Sequence, residues 1–64
     1  MEKEKLIESI NQLYSDIDEN ITNLIRARLD HNHENEARCM SKMESLMVAT
    51  QQELCCINDY LKEN

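Results

Sequence analysis

The stretch Arg26-Ala27-Arg28-Leu29-Asp30-His31-Asn32-His33-Glu34 decides the fold of this chain. It lies near the middle of 64 residues that include neither Gly nor Pro. Arg26 and Arg28 suit the carbonyl-rich C-terminal end of a helix, where positive charge is favourable. Glu34 and Glu36 suit the amide-rich start of the next helix. The stretch therefore predicts a turn at which one helix ends and a second one begins.

Apolar residues on both sides of the turn recur every three or four positions, the spacing of a heptad seam. Before the turn the a row holds Ile7, Tyr14 and Ile21, and the d row holds Ile10, Ile17 and Leu24. After the turn the a row holds Met40, Met47, Leu54 and Leu61, and the d row holds Met43, Thr50 and Ile57. The two frames do not join in one straight rod. When the chain folds back so that paired residue numbers sum to 64, each a residue meets a d residue.

The predicted fold is therefore all-α, a two-helix antiparallel hairpin of the coiled-coil kind that spans residues 1–64. We expect helix 1 at about 3–29, the turn at about 30–33 and helix 2 at about 33–62. Either Asp30 or Asn32 can cap the second helix, since both side chains accept hydrogen bonds from free amides.

A third pair of rows, at the g positions, widens the apolar stripe on one side of the predicted seam. These rows hold Leu6, Leu13, Asn20 and Ala27 on helix 1, and Cys39, Leu46, Glu53 and Tyr60 on helix 2. The e rows opposite them are mostly polar. A stripe this broad is typical of a four-helix bundle, so the prediction is that two hairpins pair. The residues expected to bind the partner are Leu6, Leu13, Cys39, Leu46 and Tyr60.

A hairpin of this size rarely gains more than about 3–5 kcal/mol of stability without a partner or a staple. The partner is expected to be a second copy, in a homodimer, or another helical protein. Thirteen acidic against seven basic residues give a net charge of −6, which disfavours nucleic acid. No window is apolar enough for a transmembrane helix, so no membrane partner is expected. The charged start of the chain lacks a signal-peptide core, and three cysteines suit a reducing compartment; both favour a cytoplasmic location.

Residues capable of chemistry are present but match no known pattern of site. His31, His33, Cys39, Cys55 and Cys56 fit no closed zinc spacing, so neither a metal nor a cofactor is expected. No nucleophilic triad, phosphate loop or convergent carboxylate pair is visible. The sequence therefore favours a non-enzymatic protein-interaction module, such as an adaptor, a small chaperone or a regulatory subunit.

Three resemblances accompany this interpretation. In length and topology the predicted hairpin resembles the small RNA-binding protein that controls plasmid copy number, and the co-chaperones of type III secretion needle subunits. The segment 51–60 resembles the signature of the helical-hairpin phosphatases that act on response regulators of bacterial sporulation. Gln52, Glu53 and Leu54 match that signature, whereas Gln51 stands in place of its Ser and Cys55 in place of its functional Asp. This likeness implies an alternative function, the hydrolysis of an aspartyl phosphate.

Overall fold

The computed structural model of the chain describes residues 3–63, and Met1, Glu2 and Asn64 of the predicted unit lie outside them. It consists of two α-helices, α1 (Lys3–Leu29) and α2 (His33–Glu63), which pack against each other. The predicted all-helical hairpin is confirmed. Its Cα atoms span 49 by 17 by 10 Å, so the hairpin is a single layer of two helices.

The C-terminal end of α1 is closed by hydrogen bonds that turn the chain without glycine. His31 adopts the left-handed conformation, with φ at 55°. Its amide donates to the carbonyl of Arg28 at 3.2 Å, and the amide of Asn32 donates to the carbonyl of Ala27 at 2.8 Å. This pair of bonds is the Schellman motif, with His31 in the place where glycine is most common. The carbonyls of Ala27 and Arg28 in the last turn of α1 are therefore satisfied within the turn itself.

Asn32 also begins the second helix. Its side-chain Oδ1 accepts a hydrogen bond from the amide of Asn35 at 3.2 Å. Its backbone carbonyl accepts the first helical bond, from the amide of Glu36 at 3.0 Å. Both are the bonds of an N-cap residue. Of the two residues that the sequence offered as caps, the structure uses Asn32, and this one residue both ends α1 and starts α2.

His31→Gly is expected to raise the free energy of unfolding by about 0.5–1 kcal/mol. A residue with a Cβ atom is strained in the left-handed region, and glycine removes that strain. The gain in stability is reduced because glycine has greater conformational freedom in the unfolded chain. Thermal unfolding followed by circular dichroism at fixed protein concentration measures the change. His33→Gly, two residues away at the first position of α2, is the control and brings no gain. A loss of stability in His31→Gly would contradict this account of the turn.

Burial follows the three heptad rows in a regular order. Every g-row residue is buried or half-buried, every d-row residue is half-buried, and every a-row residue is exposed. The apolar side chains that are less than a tenth exposed, among the residues described, are Leu6, Ala27 and Leu46, and all three belong to the g rows. The predicted seam of a and d rows is therefore wrong in its a rows. The helices meet instead through their g and d rows.

Two polar side chains lie in the g rows, and they differ in whether their buried atoms have a hydrogen-bond partner. Asn20 is only 2% exposed, and its Nδ2 donates to the backbone carbonyl of Cys39 on the other helix at 2.9 Å. A buried amide with a fixed partner favours one register of the two helices over others. Glu53 is half-buried, and its Oε2 is buried without a hydrogen-bond partner among the described residues. That oxygen loses hydration and gains nothing in return.

Glu53→Leu is expected to raise the free energy of unfolding by about 1–2 kcal/mol, because it removes an unpaired buried oxygen and adds apolar contact. Chemical denaturation at fixed protein concentration measures the change. Gln52→Leu, at the exposed neighbouring position, is the control and stays within about 0.5 kcal/mol of the parent protein. Equal effects of the two substitutions would show that Glu53 has no special place in the contact.

Candidate protein-interaction surface

The a rows form an apolar surface along one side of the hairpin. Ile7, Tyr14 and Ile21 of α1 and Met40, Met47, Leu54 and Leu61 of α2 are each 42–76% exposed. The half-buried d rows lie between the two a rows, so that apolar side chains cover this side from end to end. We call the a and d rows together the apolar face. In soluble proteins, large exposed apolar patches are typical of interaction sites and ligand-binding grooves.

The five residues predicted to bind a partner lie in the contact between the two helices. Leu6 is 5% exposed and Leu46 is 8% exposed, while Leu13, Cys39 and Tyr60 are half-buried. Their apolar atoms are thus largely used within the hairpin. A partner could reach Leu6 and Leu46 only if α1 and α2 separated. Binding through these five residues stays a prediction, and the surface that the folded hairpin leaves open is the apolar face.

The turn explains why the g rows face inward. Three residues, 30–32, separate the helices, and so short a connection holds their axes close together. Near the turn, the side chains that lie between the helices in the g rows are small. The g rows supply Ala27 and Cys39 at these levels, whereas the a rows supply the long side chains of Arg28 and Met40. These small residues are the signal in the sequence that distinguishes the inner rows from the outer ones.

The opposite side of the hairpin is polar and carries a shallow groove next to the turn. The groove has a volume of about 420 Å³. It is lined by Asn23, Arg26, Ala27, Asp30, Asn32, Asn35 and Cys39. Most of these groups are neutral amides or opposite charges exposed to solvent, which distinguishes this side from the apolar face.

Ion pairs lie at the turn end of the molecule. Arg28 donates through Nε and Nη2 to Oε1 of Glu36 at 3.2 and 3.1 Å, and so joins the end of α1 to the start of α2. His33 Nδ1 lies 3.7 Å from the other oxygen of Glu36. Arg38 Nη2 lies 2.8 Å from Oε1 of Glu34, in the same helix. In each pair at least one side chain is more than 70% exposed, and ion pairs of this kind usually contribute little to stability. They make the turn end rich in charge.

The residues with potential for chemistry do not converge. Within residues 3–63 no three His, Cys, Asp or Glu side chains are grouped so as to hold a metal ion. In the segment that resembles the sporulation phosphatases, Gln52 and Cys55 are exposed, whereas Glu53 turns into the contact between the helices. Successive residues of a helix lie about 100° apart around its axis, so the matching residues point in different directions.

No helix in the described part of the chain is long and apolar enough to cross a membrane. Comparison of the chain with models of known protein families, with curated proteins and with solved structures finds no match. The properties of the apolar face are therefore argued from its own residues.

Leu46→Ala is expected to lower the free energy of unfolding by about 2–3 kcal/mol at every protein concentration, because Leu46 is buried inside the hairpin. Leu54→Ala is the matched substitution on the apolar face of the same helix, where the side chain is 55% exposed. Its cost is below about 0.5 kcal/mol in dilute solution and grows with concentration if the face associates. Chemical denaturation over a dilution series measures both. Equal, concentration-independent costs would contradict the assignment of the rows.

Proposed function

We propose that this protein is a non-enzymatic interaction module that binds a helical partner through the apolar face. The observation that carries the proposal is the exposure of the whole a row on both helices, from Ile7 to Ile21 and from Met40 to Leu61. A helical partner suits this face, because a groove between two parallel ridges of side chains accommodates the ridges of another helix.

The side chains along the face suit such a role. Those of α1 are Ile and Tyr, which are stiff, whereas those of α2 are mainly Met and Leu, which adapt their shape to a partner. The hairpin itself has few buried apolar side chains, so the burial of this face would add stability that the isolated hairpin lacks. The energetic need for a partner and the available surface thus coincide.

The experiment places a photo-crosslinking amino acid, benzoylphenylalanine, at one of two adjacent positions and irradiates cells that produce the protein. Met47 lies on the apolar face and is 60% exposed, and Val48 points away from it and is 55% exposed. We expect crosslinked products from position 47 and none above background from position 48. Mass spectrometry of the product identifies the partner. Equal crosslinking at both positions, or none at either, would contradict the proposal.

A further inference from the structure

We infer that the partner on the apolar face is a second copy of this chain, packed face to face with its turn at the opposite end. The inference rests on the proposed function, since it names the occupant of the same surface. It describes an antiparallel dimer of hairpins, a four-helix bundle, whose twofold axis crosses the face near its middle.

The dimensions of the face suit a second copy. The Cα atoms of the hairpin span 49 Å by 17 Å, so each copy offers a face with a projected area of about 800 Å². A standard stable interface uses about 800 Å² from each partner. The apolar residues continue to both ends of the hairpin, from Ile7 and Leu61 at the open end to Met40 near the turn. A partner shorter than the hairpin would leave part of this length uncovered, whereas a second copy covers all of it.

The axis of symmetry is marked by the spacing of the a rows. On α1 the row is centred on Tyr14, with Ile7 and Ile21 seven residues to either side. On α2 it is centred between Met47 and Leu54. In a hairpin that turns at residues 30–32, these two centres lie at the same level to within one helical turn. A single twofold axis at the level of Tyr14, which is also close to the level of Met47, places Tyr14 beside the partner's Tyr14 and Met47 beside the partner's Met47. The same axis lays Ile7 over the partner's Ile21.

Charges beside the face distinguish the antiparallel dimer from the alternative with both turns at one end. Asp18 and Glu44 lie in the exposed e rows that border the face, at about the same level of the hairpin. With both turns together, α1 lies over α2 of the other copy, and Asp18 approaches the partner's Glu44 twice. With the turns opposed, Asp18 lies beside the partner's Asn11, and Glu44 lies beside the partner's Gln51. Like charges at an interface are unfavourable, so the second arrangement is preferred.

The first test is the mass of the purified, reduced chain by sedimentation equilibrium over a dilution series. A species of twice 7.6 kDa is expected. Met47→Asp is expected to raise the dissociation constant by roughly 100-fold or more, because symmetry buries the added charge twice. Val48→Asp is the matched control, and its constant stays within about twofold of the parent value. Ile21→Asp and its exposed neighbour control Thr22→Asp repeat the comparison on α1, and circular dichroism shows that each variant is helical.

The second test measures the orientation of the copies. His33, whose side chain is 86% exposed at the start of α2, is replaced by Cys and spin-labelled in a chain with Cys39→Ala, Cys55→Ser and Cys56→Ala. Pulsed dipolar spectroscopy is expected to give a distance between the two labels close to the 49 Å length of the hairpin. A distance below about 20 Å, two helix diameters, would place both turns together and overturn the antiparallel arrangement.

A chain that stays monomeric at all concentrations would overturn the second copy as partner. The proposed function would then be judged separately, by whether position 47 crosslinks to another protein while position 48 does not. A dimer that persists in Met47→Asp but is lost in Val48→Asp would overturn both the second copy on the apolar face and the proposed function of that face.

Discussion

The close approach of the two helices at the turn is the constraint on which the rest of the molecule depends. Asn32 supplies both the last hydrogen bond that closes α1 and the cap that opens α2, so no residues are left for a wider loop. Close to the turn the helices meet through the small g-row side chains of Ala27 and Cys39, with the half-buried Leu24 of the d row beside them. That contact fixes the rotation of each helix about its axis. The rotation in turn buries the g rows over the whole length and leaves the a rows outside.

The result is a pair of helices with two different apolar stripes. One stripe, centred on the g rows, forms the contact between α1 and α2. The hydrogen bond from Asn20 to the carbonyl of Cys39 lies in this contact. The other stripe runs along the a rows, which are exposed and face no other element among residues 3–63. Because the hairpin is one layer thick, no third element within residues 3–63 covers the second stripe. A surface helix usually has one apolar stripe, whereas each helix here has two, a pattern typical of bundle helices.

Much of this architecture could be predicted from the sequence, and the part that could not has a physical reason. The turn and the three- to four-residue spacing predicted two helices in a hairpin, because end charges and periodicity are local properties. Both apolar stripes were also visible in the sequence. The sequence predicts the a rows inside and the g rows outside, and the structure has the reverse. The apolar Ile7 and Tyr14 of the a rows look more like core residues than Asn20 or Glu53 of the g rows do. Periodicity predicts an apolar stripe, but it does not distinguish a stripe that packs on the other helix of the chain from one that faces outward. The small side chains of Ala27 and Cys39 beside the turn are the feature of the sequence that indicates which row faces inward.

Leu6 has a further consequence for how the hairpin opens and closes. It is among the most buried side chains, yet it lies at the end of α1 that is farthest from the turn. A contact there closes a loop of some fifty residues, whereas a contact beside the turn closes a loop of a dozen or so; the longer closure costs about 1 kcal/mol more in chain entropy. An antiparallel pair without strong burial at its open end would unzip from that end. The burial of Leu6 therefore holds α1 and α2 together at the open end of the hairpin. In this way it keeps the half of the apolar face that is far from the turn assembled as one surface.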